Sequence, residues 1–161
     1  ETAALSHKLE TTLEGRFLPP CTHHLTLAFL GEVGEPEVAA AIDALEEACA
    51  GTSPLLLRSD GLGKFGRAND ATLWLGVAST PQLERLARDV REGLTARGVA
   101  FDPKPFKPHV TLARRVRIPR ASLPPLTFPD DDQASTATLF KSTLGREGAT
   151  YKALHTVELA G

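Results

Sequence analysis

His24-Leu25-Thr26-Leu27 and His109-Val110-Thr111-Leu112 are two copies of one pattern, in a chain with five histidines in all. On an extended strand, successive side chains point to opposite faces. Each His therefore shares a face with its own Thr, while Leu25, Leu27, Val110 and Leu112 face the other way, towards a core. Two such segments facing each other would present two imidazoles and two hydroxyls to one cleft. That set suits cleavage of a phosphodiester. One imidazole can take a proton from an attacking water while the other protonates the leaving oxygen. The ordinary imidazole pKa of about 6.5 opens both roles near neutral pH. The hydroxyls can donate hydrogen bonds to the non-bridging phosphate oxygens as charge develops. One His-x-Thr on a strand is ordinarily structural, but two copies with the same polarity and the same apolar partners are harder to dismiss. No metal is implied, because the sequence has no His-rich or carboxylate cluster at ligand spacing. It also has no Gly-rich loop ending in Lys-Ser/Thr.

Around the two segments, the pattern of apolar and breaker residues predicts a mixture of helices and strands. Leu5, Leu9 and Leu13 suit a helix over 3–14 that stops near Gly15. Residues 24–30 read as a strand. A second helix over 36–50 starts with Pro36, carries Val38, Ile42 and Leu45 as its stripe, and ends at Gly51. Leu55–Leu57 begin another strand, Gly61, Gly63 and Gly66 mark a turn, and Thr72–Ala78 is strand-like. Thr80-Pro81 caps a long helix to about Arg97, with Leu83, Leu86, Val90 and Leu94 inward and Gly98 closing it. A Pro-rich stretch over 103–108 leads into a strand at His109–Ala113, extending towards Ile118. Residues 119–134 read as loop with a short strand at most. Thr136–Leu144 and Tyr151–Leu159 suggest a final hairpin around Gly145–Gly148. Without regular β-α-β alternation, the expected class is α+β with mainly antiparallel sheets.

The 161 residues fit one domain, with 42% apolar and 24% charged residues, both ordinary for a globular protein. No apolar run approaches the roughly 18–20 residues that span a bilayer, and no secretory signal is visible. Cys21 and Cys49 lack Cys-x-x-Cys spacing and read as free thiols in a reducing compartment, hence a cytoplasmic protein. A single disulfide is the alternative. The net charge of −2 argues against a protein that coats nucleic acid, which must neutralise many phosphates. Any grip on nucleic acid is expected to be on a short end, at a local basic site. The chain begins at Glu1 and has no methionine, so preceding residues are expected to be missing.

These features together resemble the RNA 2',3'-cyclic phosphodiesterases, also called the 2'-5' RNA ligase family, of the 2H phosphoesterases. The resemblance runs through His24-Leu-Thr-Leu-Ala-Phe-Leu-Gly-Glu-Val33, Gly61-Leu-Gly-Lys-Phe65, Leu73-Trp-Leu-Gly-Val77 and Phe106-Lys-Pro-His-Val-Thr-Leu-Ala-Arg114. It continues in the spacing of Ser142, Gly148 and Tyr151, and so covers nearly the whole chain in order. It implies two pseudo-symmetric lobes forming a single domain, each an antiparallel sheet with outer helices and one His-x-Thr motif, with an active-site cleft between them. It also implies an apolar strand ahead of the first helix, which this sequence lacks. The implied activity is hydrolysis of an RNA terminal 2',3'-cyclic phosphate to a 2'-phosphomonoester, without metal or other cofactor, by a monomer. Reversible 2'-5' ligation, or action on a cyclic phosphate of ADP-ribose or a nucleotide, would need the same four side chains. A non-catalytic RNA-end binder is the reading from another class, and both intact motifs argue against it.

By the same resemblance, His24 is the general acid towards the departing O3' and His109 the base for water, with Thr26 and Thr111 on the phosphate. Phe29 is similar to a residue that stacks on the terminal base, and Arg114 to one that contacts the substrate phosphate. Strict alternation places both opposite their histidines, at the same offset of five, so a bulge or strand end is expected to re-aim them. The plainer reading of Phe29 is core. His23 falls on the wrong face and reads as a rim residue, and His7 and His155 have no motif context. Trp74 reads as core. Arg115, Arg117, Arg120, Lys104 and Lys107 form either a basic rim for an RNA backbone or ordinary solvated surface.

Overall fold

In the computed structural model, which describes residues 2–119, 123, 125–146 and 148–161, Leu5 and Leu9 are buried on one side of the first helix. Along the chain the elements are α1 (Thr2–Glu10), β1 (Glu14–Phe17), a 3-10 turn (Pro20–Thr22), α2 (Glu35–Ala50), β2 (Leu55–Leu57), β3 (Ser59–Arg67) and β4 (Asp70–Val77). There follow α3 (Pro81–Ala96), β5 (His109–Arg117), β6 (Asp132–Ala134), β7 (Thr136–Gly145) and β8 (Gly148–Glu158). This is the expected α+β class, and the four-stranded sheet and the final hairpin are antiparallel throughout. Among the described residues no helix is long and apolar enough to cross a membrane.

The chain forms two units. The first comprises Glu1–Thr26, Leu57–Ala78 and Pro108–Asp132. Its sheet has the order β1-β5-β4-β3. Leu73 and Leu75 of β4 and Leu112, Ala113 and Val116 of β5 meet Leu5, Leu9 and Leu13 in a single core. Phe17, Leu62, Val110 and Ile118 pack against it. One face of the sheet is thus dedicated to α1. The side chains that alternate with these residues belong to the other face.

The second unit comprises Leu27–Leu56, Ser79–Lys107 and Gln133–Gly161. The Thr80 hydroxyl caps α3 by accepting from the Leu83 amide at 3.2 Å, with Pro81 in the first turn. Leu83, Leu86, Ala87, Val90 and Leu94 are its buried row, and Gly98, at φ +72°, follows it. On α2 the buried row is Ala41, Ala44, Leu45, Ala48 and Cys49, turned away from the expected stripe, in which Val38 and Ile42 are only half-buried. Small residues decide this face. A Cβ added at Gly93 of α3 would stand 3.1 Å from the Ala44 methyl, so the helices approach closely where both side chains are minimal. The β7–β8 hairpin runs from Thr136↔Glu158 to Gly145↔Gly148, as the sequence predicts, and β2 pairs with β6.

Three local expectations are corrected. Residues 24–30 do not form a strand, since only Leu25 makes a bridge, to Val110. The carbonyls beyond it find other donors: Leu27 accepts from Arg91 and Phe29 from the Asp102 amide. Gly61, Gly63 and Gly66 lie within β3 rather than in a turn. Gly61 and Gly66 take positive φ there (+73° and +88°), the first at a register shift between Ser59 and Leu62. The first helix, expected over 3–14, ends at Glu10, and Glu14 instead opens β1, a short edge strand with no alternation in its sequence to announce it. Residues 120–122 and 124, and with them Arg120, lie outside the described residues.

Candidate active site

β5 carries His109, Thr111 and Arg114. Across the ladder, Gly76 faces His109, Leu75 faces Val110, Trp74 faces Thr111 and Leu73 faces Ala113. Leu73 and Leu75 belong to the core, so His109 and Thr111 belong to the opposite face. Leu112 and Ala113 are consecutive yet both fully buried. Strict alternation forbids that, and the ladder accommodates it by a register shift between Leu73 and Trp74. The extra residue is a β-bulge, and beyond it the phase of the strand is reversed. Arg114, which strict alternation would turn into the core, is thereby returned to the His109 and Thr111 face, where it is exposed. A further shift follows between Ala71 and Leu73, and Arg115 takes φ +53° there.

The first motif follows a 3-10 turn that the Pro19-Pro20 run initiates by fixing φ. The Thr22 hydroxyl closes the turn on the Pro19 carbonyl at 2.7 Å. The His24 Nδ1–H donates to the Thr22 carbonyl at 2.6 Å. A carbonyl can only accept, so Nδ1 carries the proton and Nε2 is the nitrogen whose protonation can change. Leu25 then pairs antiparallel with Val110. The register about that bridge sets His24 across from Thr111 and Thr26 across from His109. The resemblance implied one motif per lobe; by proximity both motifs group with the first unit, because the bridge joins their backbones.

His109 is also held by aromatic rings that sequence reasoning did not assign to the site. Its imidazole centroid is 5.3 Å from that of Phe65, edge-on at 87°, and 5.8 Å from that of Trp74. Phe65 and Trp74 are 5.3 Å apart. Trp74 is buried, as expected, but on the side of the sheet opposite the leucine core. Its indole lies over Gly63, where an added Cβ would come within 2.1 Å of Cη2. Phe65 was legible only as part of the Gly61-Leu-Gly-Lys-Phe65 segment. Its position opposite Thr72, two residues along the same face as Trp74, is what assigns it.

Phe29 belongs to the second unit and is 61% exposed, so it is not core. His23 is no rim residue: it is half-buried, and its Nδ1 lies 2.8 Å from the Thr2 hydroxyl. Burial lowers its pKa; a backbone hydrogen bond at Leu18 opposes this, and His24 reinforces the lowering. His155 bonds Glu46 at 2.9 Å in the second unit, and His7 lies in the last turn of α1. Lys104, Lys107, Arg115 and Arg117 are exposed. Cys21 and Cys49 are free thiols. Among the described residues no group of three or more His, Cys, Asp or Glu side chains is placed to hold a metal ion.

A family model described as the 2'-5' RNA ligase superfamily matches residues 9–138 of the chain. An RNA 2',3'-cyclic phosphodiesterase of Thermus thermophilus is 32% identical over 151 residues, covering 89% of this chain and 75% of that protein. A protein of the same name from Geobacillus stearothermophilus is 39% identical over 94 residues. That match covers 58% of this chain, but the chain spans only 30% of that relative's length. The crystal structure of E. coli LigT complexed with 3'-AMP superposes with a TM-score of 0.81 at 27% identity, covering 98% of this chain and 90% of the other.

Proposed function

Because the chain belongs to the 2'-5' RNA ligase superfamily, we propose that it hydrolyses the 2',3'-cyclic phosphate at an RNA 3' end to a 2'-phosphomonoester. The observation that supports this reading is the antiparallel Leu25–Val110 bridge, which joins the backbones of the two His-x-Thr segments. His109 takes a proton from water as its oxygen attacks phosphorus. The bond to O3' breaks, and His24, through Nε2, gives that oxygen a proton. Ribose is left with a 3'-hydroxyl and a 2'-phosphate, and a second proton exchange with solvent resets the two imidazoles. Thr26 and Thr111 donate to the non-bridging oxygens, and Arg114 contributes a fixed positive charge on the same face. The naming of the relatives as RNA 2',3'-cyclic phosphodiesterases supports the choice of substrate.

None of these steps needs a metal ion. The protein acts as a monomer in the cytoplasm, where its two free thiols stay reduced. The test is an oligonucleotide ending in a 2',3'-cyclic phosphate, incubated with the protein in the presence of a chelator. The expected product is the 2'-phosphate, identified by phosphorus NMR, and His24→Ala and His109→Ala should each abolish it. Activity lost on chelation and restored by Zn²⁺ or Mn²⁺ would overturn the metal-free mechanism.

A further inference from the structure

We infer that Phe65 is a nucleobase-contacting residue, an aromatic surface beside His109 on which the base attached to the reacting ribose rests. The inference deepens the proposed hydrolase reading and rests on it.

Phe65 is a large apolar side chain left 42% exposed on β3, an edge strand of its sheet. Phe65, Trp74 and His109 form a triangle of rings, each 5.3–5.8 Å from the next. Within it Trp74 is 9% exposed and lies across Gly63. Its neighbours thus fix Phe65 while part of its own ring meets solvent. A ring already held in place loses little freedom when a ligand settles on it, which favours binding there. A cyclic phosphate within proton-transfer reach of His109 carries its base one ribose away, and the Phe65 ring centroid is 5.3 Å from that imidazole. Every base has a π-face, so the contact would support affinity with little sequence preference. Phe29 lies in the other unit, whereas Phe65 is an exposed aromatic residue in direct ring contact with a motif histidine.

The test compares a nucleoside 2',3'-cyclic phosphate with a base-free substrate, glycerol 1,2-cyclic phosphate. The readout is the ratio of their kcat/KM values. Phe65→Ala should lower that ratio by about tenfold or more, through KM for the nucleoside. Phe65→Tyr and Phe65→Trp should keep it, and Phe65→Leu, apolar but without a π-face, should not. An unchanged ratio in Phe65→Ala, or full retention in Phe65→Leu, would overturn the inference and leave Phe65 as packing for Trp74. Titration with 2'-AMP against inorganic phosphate reads the same ratio without turnover. A wild-type chain that hydrolyses neither substrate would sink the hydrolase reading, and the binding ratio would still decide the role of Phe65.

Discussion

By the antiparallel register of the Leu25–Val110 bridge, the backbone of His24 lies across from that of Thr111, one residue from the bridged pair. In the proposed mechanism the Thr26 and Thr111 hydroxyls both donate to the non-bridging phosphate oxygens. Thr26→Ala and Thr111→Ala should each lower kcat by about a hundredfold or more, the scale for loss of one donor to a developing oxyanion. The serine variants should stay within about tenfold. A threonine whose alanine variant turns over normally would be removed from the site.

Arg91 of α3 secures the chain just past the first motif and just before the second. Its Nε donates to the Leu27 carbonyl at 3.1 Å and its Nη1 to the Lys104 carbonyl at 2.8 Å. Its guanidinium lies 5.4 Å from the Phe101 ring centroid and 5.9 Å from that of Phe106. A flat guanidinium can bond two carbonyls while stacking, and a lysine ammonium cannot reproduce that. Arg91→Ala should therefore cost about 2–3 kcal/mol in urea unfolding, given roughly 1.5 kcal/mol for each hydrogen bond from a charged donor. Arg91→Lys should recover less than half of it. A loss below about 0.5 kcal/mol for Arg91→Ala would show the two carbonyls to be satisfied by water.

The sites where sequence reasoning succeeded and failed have physical causes. Thr80-Pro81 and Gly98 bracket α3 because a cap, a fixed φ and a left-handed stop are local properties. The two His-x-Thr segments were readable because two identical local patterns are rare by chance. The missing strand at 24–30 was not, since an apolar alternation does not say whether a neighbouring strand or an arginine side chain will meet its carbonyls. The bulge at Leu112–Ala113 was demanded by the offset of Arg114, but its place depends on the register with β4. Phe65 was hidden because glycines at 61, 63 and 66 look like a turn; the strand needs Gly63 because the indole of Trp74 lies over it, and Gly61 and Gly66 because their φ is positive.

His23 should make stability depend on pH. Burial is the main force lowering its pKa below the ordinary 6.5. Between that value and the lower folded one, the unfolded chain binds the proton more readily. The stability due to a neutral His23 is therefore fully present above about pH 6.5 and is lost as pH falls through the folded value. Urea unfolding should show stability declining as pH drops from 6.5 towards 5, and His23→Gln should flatten that slope. A slope identical in the two proteins would assign the decline to other groups.

The roles of the two histidines can be separated by the leaving group. A nitrophenolate departs readily without a proton, so general acid catalysis contributes little to its loss, whereas activation of water still matters. If His24 is the acid, His24→Ala should be severely impaired on a ribose 2',3'-cyclic phosphate but much less so on a nitrophenyl phosphodiester. If His109 is the base, His109→Ala should be impaired on both. The Nδ1–H of His24 is committed to the Thr22 carbonyl, which leaves Nε2 to deliver the proton. Replacing His24 by Gln keeps a polar side chain there without a titratable group, so Gln should behave as Ala does. The reverse pattern would exchange the two roles and keep the mechanism. Equal losses for both variants on both substrates would mean that the imidazoles mainly bind phosphate, and acid–base catalysis by this pair would have to be abandoned.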